Sequence, residues 1–215
     1  VLKGSFHDAF GSYGPGDVEE TNDSHTHDLI IEAARDLFAT HGLEAVSMSD
    51  IAAAAGVSRA TVFNQFGAKH HIIDEITAHT LRSYLGLLTE ALEDETTSTP
   101  DLVTGLFERM TDRLQKGRRL YKDIFPEIQK LTRDPSTGGQ TGDLRRQCQD
   151  CVRQLFERGQ ARGDITSAIS ATNLATAFDS LLYGGVTQWL ARPGQQSLEA
   201  ILNDLRDLFL RGVRP

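Results

Sequence analysis

The sequence predicts an all-α protein of about nine helices, on three observations. Apolar residues recur at three- and four-residue spacing along most of the chain, which is the period of one helix face. No alternating apolar and polar run of strand length interrupts them. Breakers at Gly42, Gly56, Pro100, Gly117, Pro135, Gly163 and Pro193-Gly194 cut the chain into pieces of helical length.

Taken in order, residues 1–24 are rich in glycine, serine and acids and read as a flexible leader, with Phe6, Phe10 and Tyr13 as its anchors should it dock. From His25 onward, Ile30, Ala33, Ala34, Leu37, Phe38 and His41 mark a helix face that Gly42 closes. Ser47-x-x-Asp50 has the pattern of a capping box. A short helix follows over 51–55, and Gly56 suits a left-handed cap. Val57 then fills the corner, and Ser58 caps a second short helix whose Val62 and Phe66 face inward. This is a helix–turn–helix, whose second helix can enter the DNA major groove. Further helices are expected at about 70–94, 101–116, 118–133, 143–162, 168–191 and 197–212.

Composition narrows the class. With 215 residues, 39% hydrophobic and 24% charged, the chain can bury a core without disulfides or a metal. Two cysteines exclude a disulfide-framed secreted scaffold. No apolar run reaches the roughly 18–20 residues of a membrane span, and no signal-peptide pattern opens the chain, so a cytoplasmic protein with no membrane partner is expected. The net charge is −8, and residues 24–82 hold four basic against seven acidic side chains. A protein that coats nucleic acid through a broad basic field is therefore excluded.

An enzyme has little behind it: there is no Gly-rich phosphate loop, no nucleophile elbow and no metal-binding Glu/His pair on one helix. No cofactor is expected. No metal is expected either, because His25/His27 and His70/His71 do not share a helix face. Cys148 and Cys151 do share one, but no second ligand pair lies near. Arg145, Arg146 and Arg153 flank these thiols and could support a thiolate, so a redox pair remains open beside a structural one.

Residues 26–72 resemble the DNA-binding domain of the TetR family of bacterial transcriptional regulators. The pattern is Ala34-x-x-Leu37-Phe38-x-x-x-Gly42, then Ser47-x-x-x-Ile51-Ala52-x-x-Ala55-Gly56-Val57-Ser58, then Thr61-x-Phe63-x-x-Phe66-x-x-Lys69-x-x-Ile72. The resemblance implies that residues 25–72 bind DNA and that 73–215 bind a ligand and dimerise. Ser47, Thr61 and Lys69 would then meet phosphates. Arg59 would read guanine or contact phosphate, Asn64 or Gln65 would pair with adenine, and Ala60 would touch a thymine methyl. Ser58 and Phe63 complete the DNA-facing set. Phe63, Gln65 and Gly67-Ala68 stand where the family usually has Tyr, His and Pro-Ser, which predicts fewer phosphate contacts and a shallow salt dependence.

For the remainder, the resemblance implies a homodimer through the last two helices, with Leu174, Leu181, Leu182, Trp189, Leu198, Ile201, Leu205 and Phe209 at the interface. Phe107, Met110, Leu114, Tyr121, Phe125, Ile128, Phe156, Phe178 and Tyr183 would line a ligand pocket, although core packing accounts for them equally well. The expected function is a ligand-responsive dimeric repressor, released from a palindromic operator on double-stranded DNA by a small hydrophobic effector. The helix over 70–94, which joins both modules, is its expected mobile element. The alternative is a helical redox or protein-interaction sensor with weakened or lost DNA binding.

Overall fold

The computed structural model describes residues 22–133, 139–192 and 194–215, and among these every regular element is a helix. They are α1 (Asn22–His41), α2 (Met48–Ala54), α3 (Arg59–Phe66), α4 (Lys69–Glu93), α5 (Thr99–Lys116), α6 (Arg118–Arg133), α7 (Gly139–Arg162), α8 (Ala171–Ala191) and α9 (Leu198–Gly212). α1 begins three residues before His25, so the expected leader loses its last residues to the helix; the rest of it lies outside the described residues. Pro100, read as a breaker, sits inside the first turn of α5. Ser98 caps that turn by accepting from the Asp101 N–H at 3.3 Å, and a missing N–H costs nothing where no intrahelical partner exists.

The chain falls into two compact units. The first takes in α1–α3, α4 up to Thr80, and Gly117 with α6 as far as Ile128; the second takes in Leu81–Lys116 and the chain from Gln129 onward. The start of α6 thus groups with the helix–turn–helix, as does α4 as far as Thr80. Both α4 and α6 run from one unit into the other, and Pro126 lies in α6 just before its crossing. Proline removes one backbone hydrogen bond from a helix interior.

In the first unit, Ile30, Ala34 and Phe38 of α1, Ile51 and Ala52 of α2, and Val62 and Phe66 of α3 are buried, with Ile72 and Ile76 of α4. In the second, Phe107, Phe156, Phe178 and Phe209 bring α5, α7, α8 and α9 to one aromatic cluster, with ring centres 5.4–5.9 Å apart. Gly185 lets α9 approach α8: a Cβ there would stand 2.7 Å from Leu205 Cδ1. Gly159 makes the same room for Thr99, whose N–H and hydroxyl both reach Asp164 Oδ2 at 3.1 Å.

Candidate functional site

The turn between α2 and α3 is built by local chemistry. Ser47 N–H donates to Asp50 Oδ2 at 2.8 Å and Asp50 N–H donates back to Ser47 Oγ at 3.2 Å, completing the capping box. At the other end of α2, Val57 N–H reaches Ala52 O at 3.0 Å and Gly56 N–H reaches Ala53 O at 3.3 Å. That pair of bonds is a Schellman motif, and it requires the positive φ of +68° that Gly56 adopts. Ser58 then starts α3: its Oγ accepts from Thr61 N–H at 3.0 Å and lies 2.8 Å from Thr61 Oγ1.

With Val62 and Phe66 buried beneath it, α3 turns Arg59, Ala60, Phe63 and Asn64 to solvent, while Thr61 and Gln65 are half-buried on its flanks. The four-residue spacing sets Arg59 above Phe63, with the guanidinium carbon 5.2 Å from the ring centre. Such an exposed cation–π contact is worth about 0.5–1 kcal/mol, enough to hold the guanidinium forward without desolvating it.

Two of the expected phosphate contacts are engaged elsewhere. Lys69, half-buried, donates from Nζ to Leu43 O at 2.7 Å and Val46 O at 3.1 Å, so two of its three N–H bonds tie down the α1–α2 loop. Ser47 Oγ donates to Asp50 Oδ2 at 2.7 Å. The Ser47 hydroxyl and then its backbone N–H hold the Asp50 carboxyl below its ordinary range, so a phosphate arriving at Ser47 meets a carboxylate. His27 and His71 both reach α3. The ring of His27 stacks on Phe66 at 4.9 Å, and His71 Nδ1 lies 2.6 Å from Phe66 O.

A third contribution comes from α6 and was not anticipated. Arg119 donates to the carbonyls of Thr40 and His41 at the end of α1, the second at 2.9 Å. One turn further on, Asp123 Oδ2 accepts the Leu43 N–H at 2.8 Å. These groups stand roughly eighty residues apart in sequence, and no local pattern signals them.

The comparisons with known proteins match this division of labour. Residues 30–76 match the family described as bacterial regulatory proteins, tetR family, and residues 108–213 match the tetracyclin repressor-like C-terminal domain. The chain belongs to the TetR family. It is similar to the HTH-type transcriptional regulator LuxR of Vibrio harveyi, 25% identical over 84% of this chain and 85% of that one. Among solved structures it is similar to the TetR-family regulator PfmR of Thermus thermophilus, at 25% identity, TM-score 0.65, over 85% of this chain and 97% of that one. The regulator FadR of Bacillus subtilis, solved in complex with stearoyl-CoA, shares the fold at TM-score 0.70 and 17% identity, over 87% and 100% of the two chains. As a TetR-family protein the chain is a DNA-binding transcriptional regulator, and the relatives it matches are regulators rather than enzymes. Among the described residues no helix is long and apolar enough to cross a membrane.

The residues assigned to a pocket in this TetR-family chain are shared between the two units. Tyr121, Phe125 and Ile128 fall in the first unit, and Phe107, Met110, Leu114, Phe156, Phe178 and Tyr183 in the second. Phe107, Phe156 and Phe178 touch one another in the buried aromatic cluster. Of the residues assigned to the dimer interface, Leu174, Leu182, Trp189, Leu198, Ile201 and Phe209 are already buried within the single chain. They have almost no surface left for a second copy, because α8 and α9 spend those faces on each other and on α5 and α7. Leu181 and Leu205 are half-buried, and Leu208, which the assignment omitted, is 61% exposed.

Burial works against a thiolate at Cys148. Cys148 is fully buried and its Sγ lies 3.7 Å from Leu81 O. Burial pushes its thiol up to about 12 in spite of Arg145 nearby, and burial also raises Cys151. Thiolates, not thiols, are the reactive species.

What the flanking arginines do is different. Arg145, fully buried, pairs through Nη2 with Asp179 Oδ2 and lies over the Tyr183 ring at 5.1 Å. Burial raises the Asp179 carboxyl above its ordinary range, opposed by the guanidinium. A signal was present: Arg145 shares a helical stripe with Cys148, Val152 and Phe156, and Asp179 one with Ala175, Leu182 and Val186. Opposite charges standing alone in two apolar stripes point to a buried pair. Beside it, α7 and α8 leave a cleft of about 300 Å³, lined by Gln149, Asp150, Arg153, Thr172, Thr176 and Asp179 among others.

Proposed function

We propose that this regulator is a ligand-responsive homodimeric repressor that holds a palindromic operator and leaves it when a small hydrophobic effector binds the helical unit. The observation that carries the reading is the exposed face of α3, with Arg59, Ala60, Phe63 and Asn64 outward and Val62 and Phe66 as its anchors. Arg59 supplies the fork that fits guanine O6 and N7, Asn64 the amide that fits adenine, and Ala60 a methyl for thymine. Two copies of such a head on a two-fold axis read a palindrome.

The dimer uses the faces of α8 and α9 that the chain leaves open, with Leu181 and Gly184 on α8 and Leu205 and Leu208 on α9. A hydrophobic effector is supported by the fold's use in FadR of Bacillus subtilis, solved with stearoyl-CoA. The effector signal passes along α4 and α6, the two helices common to both units, and a coupling of about 1–3 kcal/mol is sufficient.

Selection of bound duplexes from a random DNA library, with Arg59→Ala alongside, tests the reading. The wild type enriches a palindrome that the variant loses, and Leu208→Arg moves the protein toward monomer and weakens the same enrichment. A folded dimer that enriches nothing at low salt defeats it.

A further inference from the structure

Arg59 and Phe63 form one composite surface at the front of α3. They stand four residues apart on the same helix face, and the guanidinium carbon lies 5.2 Å from the ring centre. Both are exposed, Phe63 to 39%. Among the described residues no carboxylate, carbonyl or hydroxyl takes the N–H groups of Arg59, whereas Arg119 and Arg158 spend theirs on backbone carbonyls. A cation–π contact orients a guanidinium by its face and leaves its edge, with the N–H fork, open to a ligand. The ring is not there to anchor the helix, because Val62 and Phe66 already supply the burial of α3.

The stack fixes where the ring goes when the fork is used. A fork bidentate to guanine O6 and N7 lies near the plane of that base pair. The ring, 5.2 Å from the guanidinium carbon on its face, then stands between one and two base-pair steps of about 3.4 Å away. That places it against the major-groove edge of the neighbouring pair. Phe63 carries no hydrogen-bonding group in its side chain, so beside an amino or carbonyl edge it would strip water and return nothing. The apolar group that the major groove offers is the 5-methyl of thymine, and 5-methylcytosine presents the same group.

We propose that Phe63 is a specificity-determining residue: its ring holds Arg59 on guanine and itself reads a 5-methylpyrimidine in the adjacent base pair. Each half-site then contains guanine beside thymine, recognised as one two-base-pair unit. This rests on the operator reading of α3 given above, and adds to it the base next to the guanine and the residue that chooses it.

Fluorescence anisotropy of the full chain, on the duplex recovered by selection from a random library, tests it. The thymine beside the guanine is replaced in both half-sites by uracil, which deletes only the 5-methyl, or its pair by C·G with and without a 5-methyl on the cytosine. The wild type is expected to lose about fourfold per half-site with uracil, and to bind the methylated C·G duplex more tightly than the unmethylated one. Phe63→Ala should bind the thymine and uracil duplexes alike. Phe63→Leu keeps an apolar side chain without a ring face, so Arg59 is no longer held on N7. That variant should reject 7-deazaguanine about two- to fivefold less strongly than the wild type does. Both variants should melt as the wild type does, since the ring they replace is exposed. Equal wild-type affinity for thymine and uracil, a full uracil penalty in Phe63→Ala, or unchanged rejection of 7-deazaguanine in Phe63→Leu would each overturn the proposal. A palindrome that Arg59→Ala loses but that has no thymine beside a guanine overturns it alone, while a protein that enriches no duplex defeats it together with the operator reading beneath it.

Discussion

Asp123 accepts the backbone N–H of Leu43 at 2.8 Å, across eighty residues of chain. With Arg119 on the terminal carbonyls of α1, it makes α6 part of the framework that holds the helix–turn–helix. Cationic groups at a helix C-terminus satisfy orphan carbonyls and oppose the dipole. The second unit repeats the device, since Arg158 on α7 donates to Leu92 O at 2.5 Å and Ala91 O at 2.9 Å near the end of α4. The helix–turn–helix unit thus extends past the residues that match the tetR-family model, into those that match the C-terminal domain. The start of α6 belongs by its hydrogen bonds to the helix–turn–helix unit, and Gln129, further along α6, donates to Thr187 of α8 at 2.7 Å.

Removing Asp123 tests that framework. Asp123→Ala leaves the half-buried Leu43 N–H without its acceptor and should cost about 1–2 kcal/mol, read from urea denaturation. Asp123→Asn keeps an oxygen acceptor and should recover at least half. Equal losses in the two variants would mean that charge, not the hydrogen bond, is what matters.

On DNA, Arg59→Ala should cost about 1–3 kcal/mol of specific affinity, measured by fluorescence anisotropy on the selected duplex. Phe63→Tyr restores a hydroxyl at the phosphate side and should bind more tightly and with a steeper salt dependence. The acidic balance of residues 24–82 and the engagement of Lys69 with Leu43 and Val46 set the wild-type slope low.

The buried pair separates charge from shape. Arg145→Ala leaves Asp179 unpaired at 4% exposure and should destabilise by about 3–5 kcal/mol. The double replacement Arg145→Met/Asp179→Leu should recover most of that loss, since both charges leave together. Thermal melts of the three proteins side by side decide it.

Cys148 predicts an alkaline weakness. Its folded thiol holds its proton to about 12, against an ordinary value of 9.0, and burial likewise raises Tyr84. The unfolded chain therefore releases these protons first, and stability falls as pH climbs from about 9 toward 12. Cys148→Ala should flatten that fall in melts taken at stepped pH. In the native protein at pH 8, a chromogenic disulfide should label Cys151 and leave Cys148 untouched until denaturant is added.

How much of this was legible before the structure depends on distance along the chain. The capping box at Ser47, the left-handed Gly56 and the Ser58 cap involve partners three to five residues apart, so the helix–turn–helix could be read directly. The arginine and aspartate of the buried pair were half legible, as charges standing in apolar stripes. Most of the residues assigned to the dimer face are buried within the chain itself. Apolar periodicity names the faces that must be buried but not what buries them, and Leu174, Leu198 and Phe209 are covered by the chain itself. The carbonyl and ring partners of His27, His71 and Lys69 appear only in three dimensions.

The sequence by itself determined the helices, their caps, the exposed face of α3 and the TetR membership, all of which rest on hydrogen bonds and periodicities within about four residues. Tertiary structure alone decided that α6 grips the end of α1, that four phenylalanines fill the interior of the second unit, and that Arg145 pairs with Asp179 in its interior. Those outcomes join groups about twenty to eighty residues apart. They depend on which faces meet when the helices pack, and a one-dimensional period carries no information about that choice.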